Sequence, residues 1–386
     1  MICRNSIAPL SKSEQVSWDE RFMHLALRLG RRGMGQTAEN PSVGCVLVQF
    51  TGNGPIIVGQ GHTQPGGRPH AERVALAVAG DQAKGATAYV TLEPCSHTGK
   101  SPPCSQGLIE AGIARVVCAK GDPDPRVNGR GFGMLRTAGI EVETSLLEAH
   151  AKRDLSGFLS RTQTNRPWLQ AKMAISPDGF IGSRDEANVP ITGLAAKKRT
   201  YALRSRADAI LVGIETALID DPSLTVRLPG LEDRSPIRIV LDSKGRIPLS
   251  TNLVRTAESV PTWIIASGHI SAEKALALEA RGCKLLLTDP TSRGHVDLDQ
   301  ALKLLAEEGI NTLFAETGAT LAKVLLSKQL IDEFILYRGA NPIGEGLRPF
   351  GIDPQQALIR AGFSLEHQSA MGQDRAMTFV RNEPRF

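Results

Sequence analysis

Apolar residues first fall into register in SWDERFMHLALRLGRRG (17–33), where Phe22, Leu25, Ala26 and Leu29 share one helical face. Ser17, with Glu20 three residues on, forms a capping box, so a helix is predicted to start there. The period then changes. VGCVLV (43–48) and PIIVGQG (55–61) are short apolar runs separated by turn residues and predict a hairpin. Helical and extended patterns alternate after that. AERVALAVAG, CSQGLIEAG and GFGMLRTAG read as helices, and ATAYVTL, ARVVCA and IEVET as strands. Such alternation predicts a sheet covered by helices.

A polar stretch ending in proline, RTQTNRP (161–167), follows an amphipathic segment over 146–159 and reads as a seam. A second series begins beyond it. Its strands are WLQAKMAIS, DAILVG, IRIVLD, TWIIAS, CKLLL, NTLFA and EFILY. Its helices are AAKKRTYALRSR, AEKALALEARG, LDQALKLLAEEG and TLAKVLLSKQ. There is no internal repeat and no low-complexity tract. The expected organisation is a polar tail over 1–16, an α/β domain over 17–150 and a second α/β domain over 151–386.

The 386-residue length fits more than one core. Apolar residues make up 41% and charged residues 22%, a globular balance with no run long enough to span a bilayer. The tail lacks the apolar stretch of a secretory signal. Six cysteines without the dense spacing of a disulfide scaffold point to a reducing, cytoplasmic setting. A net charge of +5 without a basic run favours small anionic ligands over nucleic acid, and no membrane partner is expected.

Candidate chemistry sits in PHAERVAL and PCSHTGKSPPC. His70, Cys95 and Cys104 offer an imidazole and two thiolates, and a catalytic zinc takes three protein ligands and leaves one position for water. Glu72, two residues past His70, is free to move protons. Both stretches lead into predicted helices, whose N-termini favour thiolate. The order H-x-E…P-C…C is the signature of zinc nucleobase deaminases. The usual C-x-x-C is replaced by a longer insert, residues 96–103. A structural zinc is the alternative, with His97 the nearest fourth ligand. Cys45 and Cys118 lie in apolar strands and read as core.

With these motifs the chain resembles the bifunctional riboflavin-biosynthesis deaminase–reductase family. The insert SHTGKSPP marks that family among deaminases, and NPSVGCVLV, GQGHTQPGGRPHAE, TLEPCSHTGKSPPC and GDPDPRVNGRG match its first half in order. AKMAISPDGFIG, ITG, LRSRADAILVGIETALIDDPSLTVR, PIRIVLDS and FAETGATLAKVLL match its second half. The resemblance implies a cytidine-deaminase-like three-layer α/β/α domain followed by a dihydrofolate-reductase-like α/β domain, using Zn2+ and NADPH. It implies that His70, Cys95 and Cys104 bind zinc, that Glu72 is the proton donor, and that Asn40, His62 and His97 line the pyrimidine pocket. Read alone, His62 is equally a surface-loop histidine, and Asn40 a turn residue before Pro41.

For the second domain the resemblance places Ala174, Pro190, Thr216, Asp220, Ser243, Gly318, Ala319 and Thr320 on the cofactor. It places Asn188, Arg204, Leu224, Arg227 and Glu316 on a phosphorylated pyrimidine substrate. Lys172 and Asp178 flank the same cleft. Read physically, NTLFAETGATLAKVLL is a strand, a Gly loop and a helix N-terminus able to hold a pyrophosphate. No G-x-G-x-x-G follows a strand, which argues against a Rossmann fold. Asp220 and Asp221 before Pro222 also read as turn and cap residues, and Arg204 as part of a solvated basic helix face. Pro190 stands where the family commonly has Trp, Asn188 where Ser is common, and the family's Asn near the junction is missing around Leu155.

These residues imply a two-step riboflavin-pathway enzyme, expected to be a homo-oligomer. A deaminase with a silent reductase fold is the nearest alternative. A nucleic-acid-editing deaminase is disfavoured by the mild charge and 4% aromatic content. A zinc-stabilised binding protein is disfavoured by Glu72.

Overall fold

The structure, a computed structural model, describes residues 12–98, 102–182 and 189–383. The chain divides between Gln163 and Thr164 into two compact units, each with its own sheet.

In the first unit the elements run α1 (Lys12–Gly30), β1 (Gly44–Thr51), β2 (Gly54–His62), α2 (Ala71–Ala79), β3 (Thr87–Val90) and α3 (Cys104–Glu110). β4 (Arg115–Cys118), α4 (Arg130–Thr137), β5 (Glu141–Glu143), α5 (Glu148–Asp154) and α6 (Ser156–Thr164) complete it. The sheet order is β2-β1-β3-β4-β5. β1 pairs antiparallel with both neighbours, and β3, β4 and β5 are parallel. Central strands buried along their whole length read as apolar runs rather than alternations.

The predicted start of α1 is corrected. The helix begins at Lys12, so Ser17 lies inside it and caps nothing. KSEQV contains no breaker, and Gln15 Nε2 donates to Asp19 Oδ1 one turn on at 2.9 Å. Asp19 itself is buried and receives Arg115 through two guanidinium nitrogens, at 2.9 and 2.8 Å, and Tyr89 Oη at 2.5 Å. That cluster pins α1 to β3 and β4.

Residues 151–163, assigned above to the second domain, group with the first unit. α5 packs on α1, and Asp154 pairs with Arg31 at 2.7 Å. The polar pattern of RTQT is the last turn of α6 rather than a linker.

Two backbones meet without intervening side chains where α2 crosses β2. A Cβ on Gly59 would lie 2.3 Å from Ala75 O, and one on Gly61 2.5 Å from Ala71 O. The helix that starts just after His70 therefore sits directly on the strand. On its other side β1 meets α1 as closely, since a Cβ on Gly44 would fall 1.9 Å from Ala26 O.

The second unit runs β6 (Trp168–Ile175), α7 (Leu194–Arg204), β7 (Ala209–Gly213), α8 (Ile214–Asp220), β8 (Ile237–Leu241), α9 (Asn252–Arg255), β9 (Thr262–Ser267) and α10 (Ala272–Glu279). It continues with β10 (Lys284–Thr288), α11 (Leu298–Glu307), β11 (Thr312–Glu316), α12 (Ala319–Ser327), β12 (Glu333–Arg338), α13 (Pro354–Arg360), β13 (Phe363–Met371) and β14 (Asp374–Arg381). The sheet order is β10-β9-β8-β7-β11-β6-β12-β14-β13, parallel up to β12 and antiparallel over the last two strands. Successive residues feed opposite cores: Leu211, Ile239 and Ile265 on one face, Val212, Val240 and Ile264 on the other. Both faces are therefore covered, as a parallel sheet requires. Among the described residues no helix is long and apolar enough to cross a membrane.

The contact of α2 with β2 gives a stability prediction. Gly61→Ala should destabilise the first unit by about 1–3 kcal/mol through overpacking. Gly52→Ala, where a Cβ meets nothing within 4 Å, should leave melting unchanged. Thermal unfolding followed by circular dichroism compares the two.

Candidate active sites

His70 is the residue before α2, in extended conformation, and Cys104 is the first residue of α3. Cys95 lies in the loop after β3. His70 Nδ1 stands 3.7 Å from Cys95 Sγ and 3.4 Å from Cys104 Sγ, and the three donor atoms lie within 4.8 Å of one another. Zinc bonds of about 2.3 Å to sulfur and 2.0–2.1 Å to nitrogen at a tetrahedral angle place S and N about 3.5 Å apart. The donor set fits that ion. Its chemistry fits as well, one imidazole and two sulfur donors with room for a fourth ligand; the hydrogen bond with Cys104 pulls the Cys95 thiol down to about 4. The same contact raises Cys104, and His70 is raised by its contact with Cys95. Cys104 N–H also donates to Cys95 Sγ at 3.2 Å.

Glu72 is one residue inside α2 and 3% exposed. Burial pushes its carboxyl up to about 7, and the Cys95 charge adds to that. His70, Cys95 and Glu72 line a cavity of about 490 Å³. Asn40 and His97 line it too. A Cβ on Gly67, at φ 84°, would fall 2.1 Å from Asn40 Nδ2, so a glycine is needed to seat that side chain. His97 Nδ1 is buried and has no hydrogen-bond partner among the described residues. His62 ends β2 opposite Gly44 and is not among the lining residues.

Several lining residues escaped the sequence reading. Asp122 and Arg126 lie in GDPDPRVNGRG, quoted above only as a motif, and Arg161 lies in the segment read as a seam. Burial pushes the Asp122 carboxyl up to about 6. Arg161 reaches back to Glu39 O at 2.6 Å, which carries α6 onto the cavity wall. Glu93 was missed as well. Its buried carboxylate accepts N–H groups of Gly129 and Gly131 at 3.0 Å and of Asp122 and Phe132 at 3.3 Å. Two residues before Cys95, it ties the ligand loop to the start of α4. The close fit of Gly131, whose Cβ would lie 2.1 Å from Pro94 O, belongs to the same brace. A glutamate next to Pro-Cys after an apolar strand was the available signal.

In the second unit Glu316 ends β11 beside its register partner Lys172 on β6. Arg204 Nε donates to Glu316 Oε1 at 2.7 Å, and its Nη1 to Thr225 O at 2.9 Å. Burial alone would raise Glu316, but the charge and hydrogen bond of Arg204 hold it below the usual carboxylate range. Burial lowers Lys172 against the pull of Glu316. Arg204 is buried, so its reading as a solvated helix face is corrected: α7 turns this residue inward to a carboxylate. Arg227 is exposed, and Tyr201 brings it near Arg204, with guanidinium carbons 5.7 and 5.5 Å from one ring. Leu224 is buried at φ 53°.

The predicted cofactor residues sit along the same unit. Thr216 and Asp220 lie on α8, with Asp220 its exposed last residue. Asp221 caps that helix and receives Asn252 N at 2.7 Å, so the turn reading holds for this one of the pair. Gly318, Ala319 and Thr320 form the start of α12, open at Gly318. That N-terminus suits a pyrophosphate. Ser243 Oγ accepts Val296 N at 3.0 Å just after β8, and Ala174 is half-buried on β6. Pro190 is exposed, and Asn188 lies outside the described residues. Asp178 accepts Gly344 N at 2.7 Å and the Ser176 hydroxyl, which makes it the anchor of a loop.

The fold and these two sites define a zinc-dependent pyrimidine deaminase joined to a dihydrofolate-reductase-like reductase. Family models agree: residues 16–120 match the cytidine and deoxycytidylate deaminase zinc-binding region, and residues 167–376 the RibD C-terminal domain. The chain is 40% identical over 341 residues to the riboflavin biosynthesis protein RibD of Escherichia coli, covering 86% of this chain and 90% of that one. It is 40% identical to RibD of Haemophilus influenzae, covering 87% and 89%. An Acinetobacter baumannii RibD structure superposes with a TM-score of 0.84 at 33% identity, over 95% of this chain and all of the other. The chain belongs to the RibD family of bifunctional riboflavin-biosynthesis deaminase–reductases. It is a hydrolase and an oxidoreductase, with Zn2+ and NADPH as its cofactors. Nothing in these similarities favours a deaminase with a silent second domain.

Glu93→Gln should cost about 2–3 kcal/mol, because the amide must turn an N–H toward backbone donors and the charge-assisted bonds are lost. Urea unfolding of the first unit, with zinc content measured alongside, checks it.

Proposed function

We propose that the first unit hydrolyses the 2-amino group of 2,5-diamino-6-ribosylamino-4(3H)-pyrimidinone 5′-phosphate. The second reduces the ribosyl group of the product to ribityl. The observation carrying this reading is the convergence of His70, Cys95 and Cys104, at the wall of a cavity that His70, Cys95 and buried Glu72 line together with Asn40 and His97.

His70 Nδ1 and the Sγ atoms of Cys95 and Cys104 would hold the metal. Zinc there supplies Lewis acidity that makes water a nucleophile near neutral pH. Glu72 would move the two protons of that water, one to the adjacent ring nitrogen and one to the 2-amino nitrogen, which leaves as ammonia while the water oxygen becomes a ring carbonyl. A carboxyl pushed to about 7 is matched to that transfer. Asn40 and His97 orient the pyrimidine, and His62 is the third residue of the proposed set.

In the second unit Thr216, Asp220, Ser243, Gly318, Ala319 and Thr320 would bind NADPH, with Ala174 and Pro190 against it. NADPH supplies the hydride. Arg204, Arg227, Leu224, Asn188 and Glu316 would hold the substrate, with Arg227 suited to its 5′-phosphate. Arg204 keeps Glu316 ionised at the reacting end, and Lys172 offers a cation beside it. The ligands on this reading are small molecules rather than nucleic acid or membrane. The enzyme acts in the cytoplasm as a homo-oligomer.

Glu72→Gln should keep its zinc yet lose about 10²–10⁴ in ammonia release, with NADPH-dependent reduction of the deaminated pyrimidine unchanged. Metal analysis and the two separate assays test this. With wild-type protein and the diaminopyrimidinone, ammonia and NADPH loss are expected in equal amounts. No ammonia from zinc-loaded protein would overturn the first half of the reading; ammonia without NADPH loss would overturn the second.

A further inference from the structure

We infer that Arg73 is a positioning residue that locks the two helices carrying zinc donors into one rigid unit; this rests on the zinc reading above. Arg73 follows Glu72 on α2. Its Nη2 donates to Pro102 O at 3.1 Å and to Pro103 O at 3.0 Å. Those carbonyls directly precede Cys104, the first residue of α3. One guanidinium therefore joins the helix that begins after His70 to the segment that delivers Cys104.

The arrangement has chemical logic. Pro102 and Pro103 have no N–H and present only acceptors, which the arginine's donors complement. A planar guanidinium reaches both carbonyls from one nitrogen. Room for it is made by Gly107 on α3, where a Cβ would fall 2.8 Å from Arg73 Cζ and Nη1. Pro103 O also accepts Gly107 N at 3.2 Å, so the first turn of α3 and the arginine share that carbonyl. His70 and Cys104 are 34 residues apart, and their 3.4 Å contact depends on tertiary ties of this kind. Groups that orient metal ligands typically change metal affinity 10- to 100-fold when removed.

The test is zinc affinity, measured on the full chain by competition with a chromophoric chelator, with circular dichroism melting as the control for folding. Arg73→Met should bind zinc about tenfold more weakly, with deaminase activity restored by excess zinc. Arg73→Lys, which keeps a donor, should recover part of the loss. Gly107→Ala leaves the arginine in place but displaces its guanidinium, and should weaken zinc in the same direction. Cobalt substitution gives a second readout, since the thiolate-to-metal absorption reports the geometry at Cys104. If folded Arg73→Met and Gly107→Ala hold zinc within twofold of wild type, the inference is overturned. If wild-type protein itself takes up no stoichiometric zinc, the zinc reading fails instead.

Discussion

Direct backbone contact between α2 and β2 sets the depth at which the deaminase donors lie. Gly59 and Gly61 have no side chains to hold the helix off the strand, so its first turn drops onto the sheet. His70 and Glu72 are carried down with it, to where the loop after β3 supplies Cys95 and the start of α3 supplies Cys104. Burial at that depth raises the Glu72 carboxyl toward neutrality, and the same closeness lets one thiol stabilise its neighbour's charge. A residue with a Cβ in the strand would cost the site its dielectric as well as its geometry.

The surrounding polar groups make that depth tolerable. Glu93 is a buried carboxylate, yet four backbone N–H groups satisfy it, which turns a desolvation penalty into a brace for the ligand loop. Asp19 is buried likewise and is met by Arg115 in two-pronged contact. In the second unit the same rule appears at the C-terminal ends of the parallel strands. Glu316 is ionised because Arg204 reaches it, and Lys172 faces both. Charges at these sites are held by protein partners, so their positions are fixed by the sheet.

Much of this was legible in the chain. The central strands β3, β4, β7, β8, β9 and β11 stood out because they are mostly buried and read as short, largely apolar runs. The zinc donors were legible because H-x-E and the two cysteines precede helix signals. Elements at the edges were not. β13 is exposed over most of its length, so its pattern lacks the alternation that marks a half-buried strand, and its hairpin with β14 passed unseen. α8 was hidden by Asp220-Asp221-Pro222, which reads as a turn; Asp221 is that turn, and the helix ends on it. The last turn of α6 was hidden because Arg161, Thr162, Gln163 and Thr164 form a polar run of a composition shared with linkers.

The sequence by itself determined most of the central elements, the chemistry of the donors and the family, since periodicity and residue type are local properties. Only the tertiary structure decided which charges meet. Arg204 turns from a basic helix to Glu316, 112 positions away, and Arg161 returns from α6 to Glu39 on the cavity wall. Arg73 clasps Pro102 and Pro103 across a gap of 29 and 30 residues. Such pairings depend on how far one element approaches another. That distance is set by packing, by glycines facing helices and by buried carboxylates seeking donors, and no window along the chain contains it.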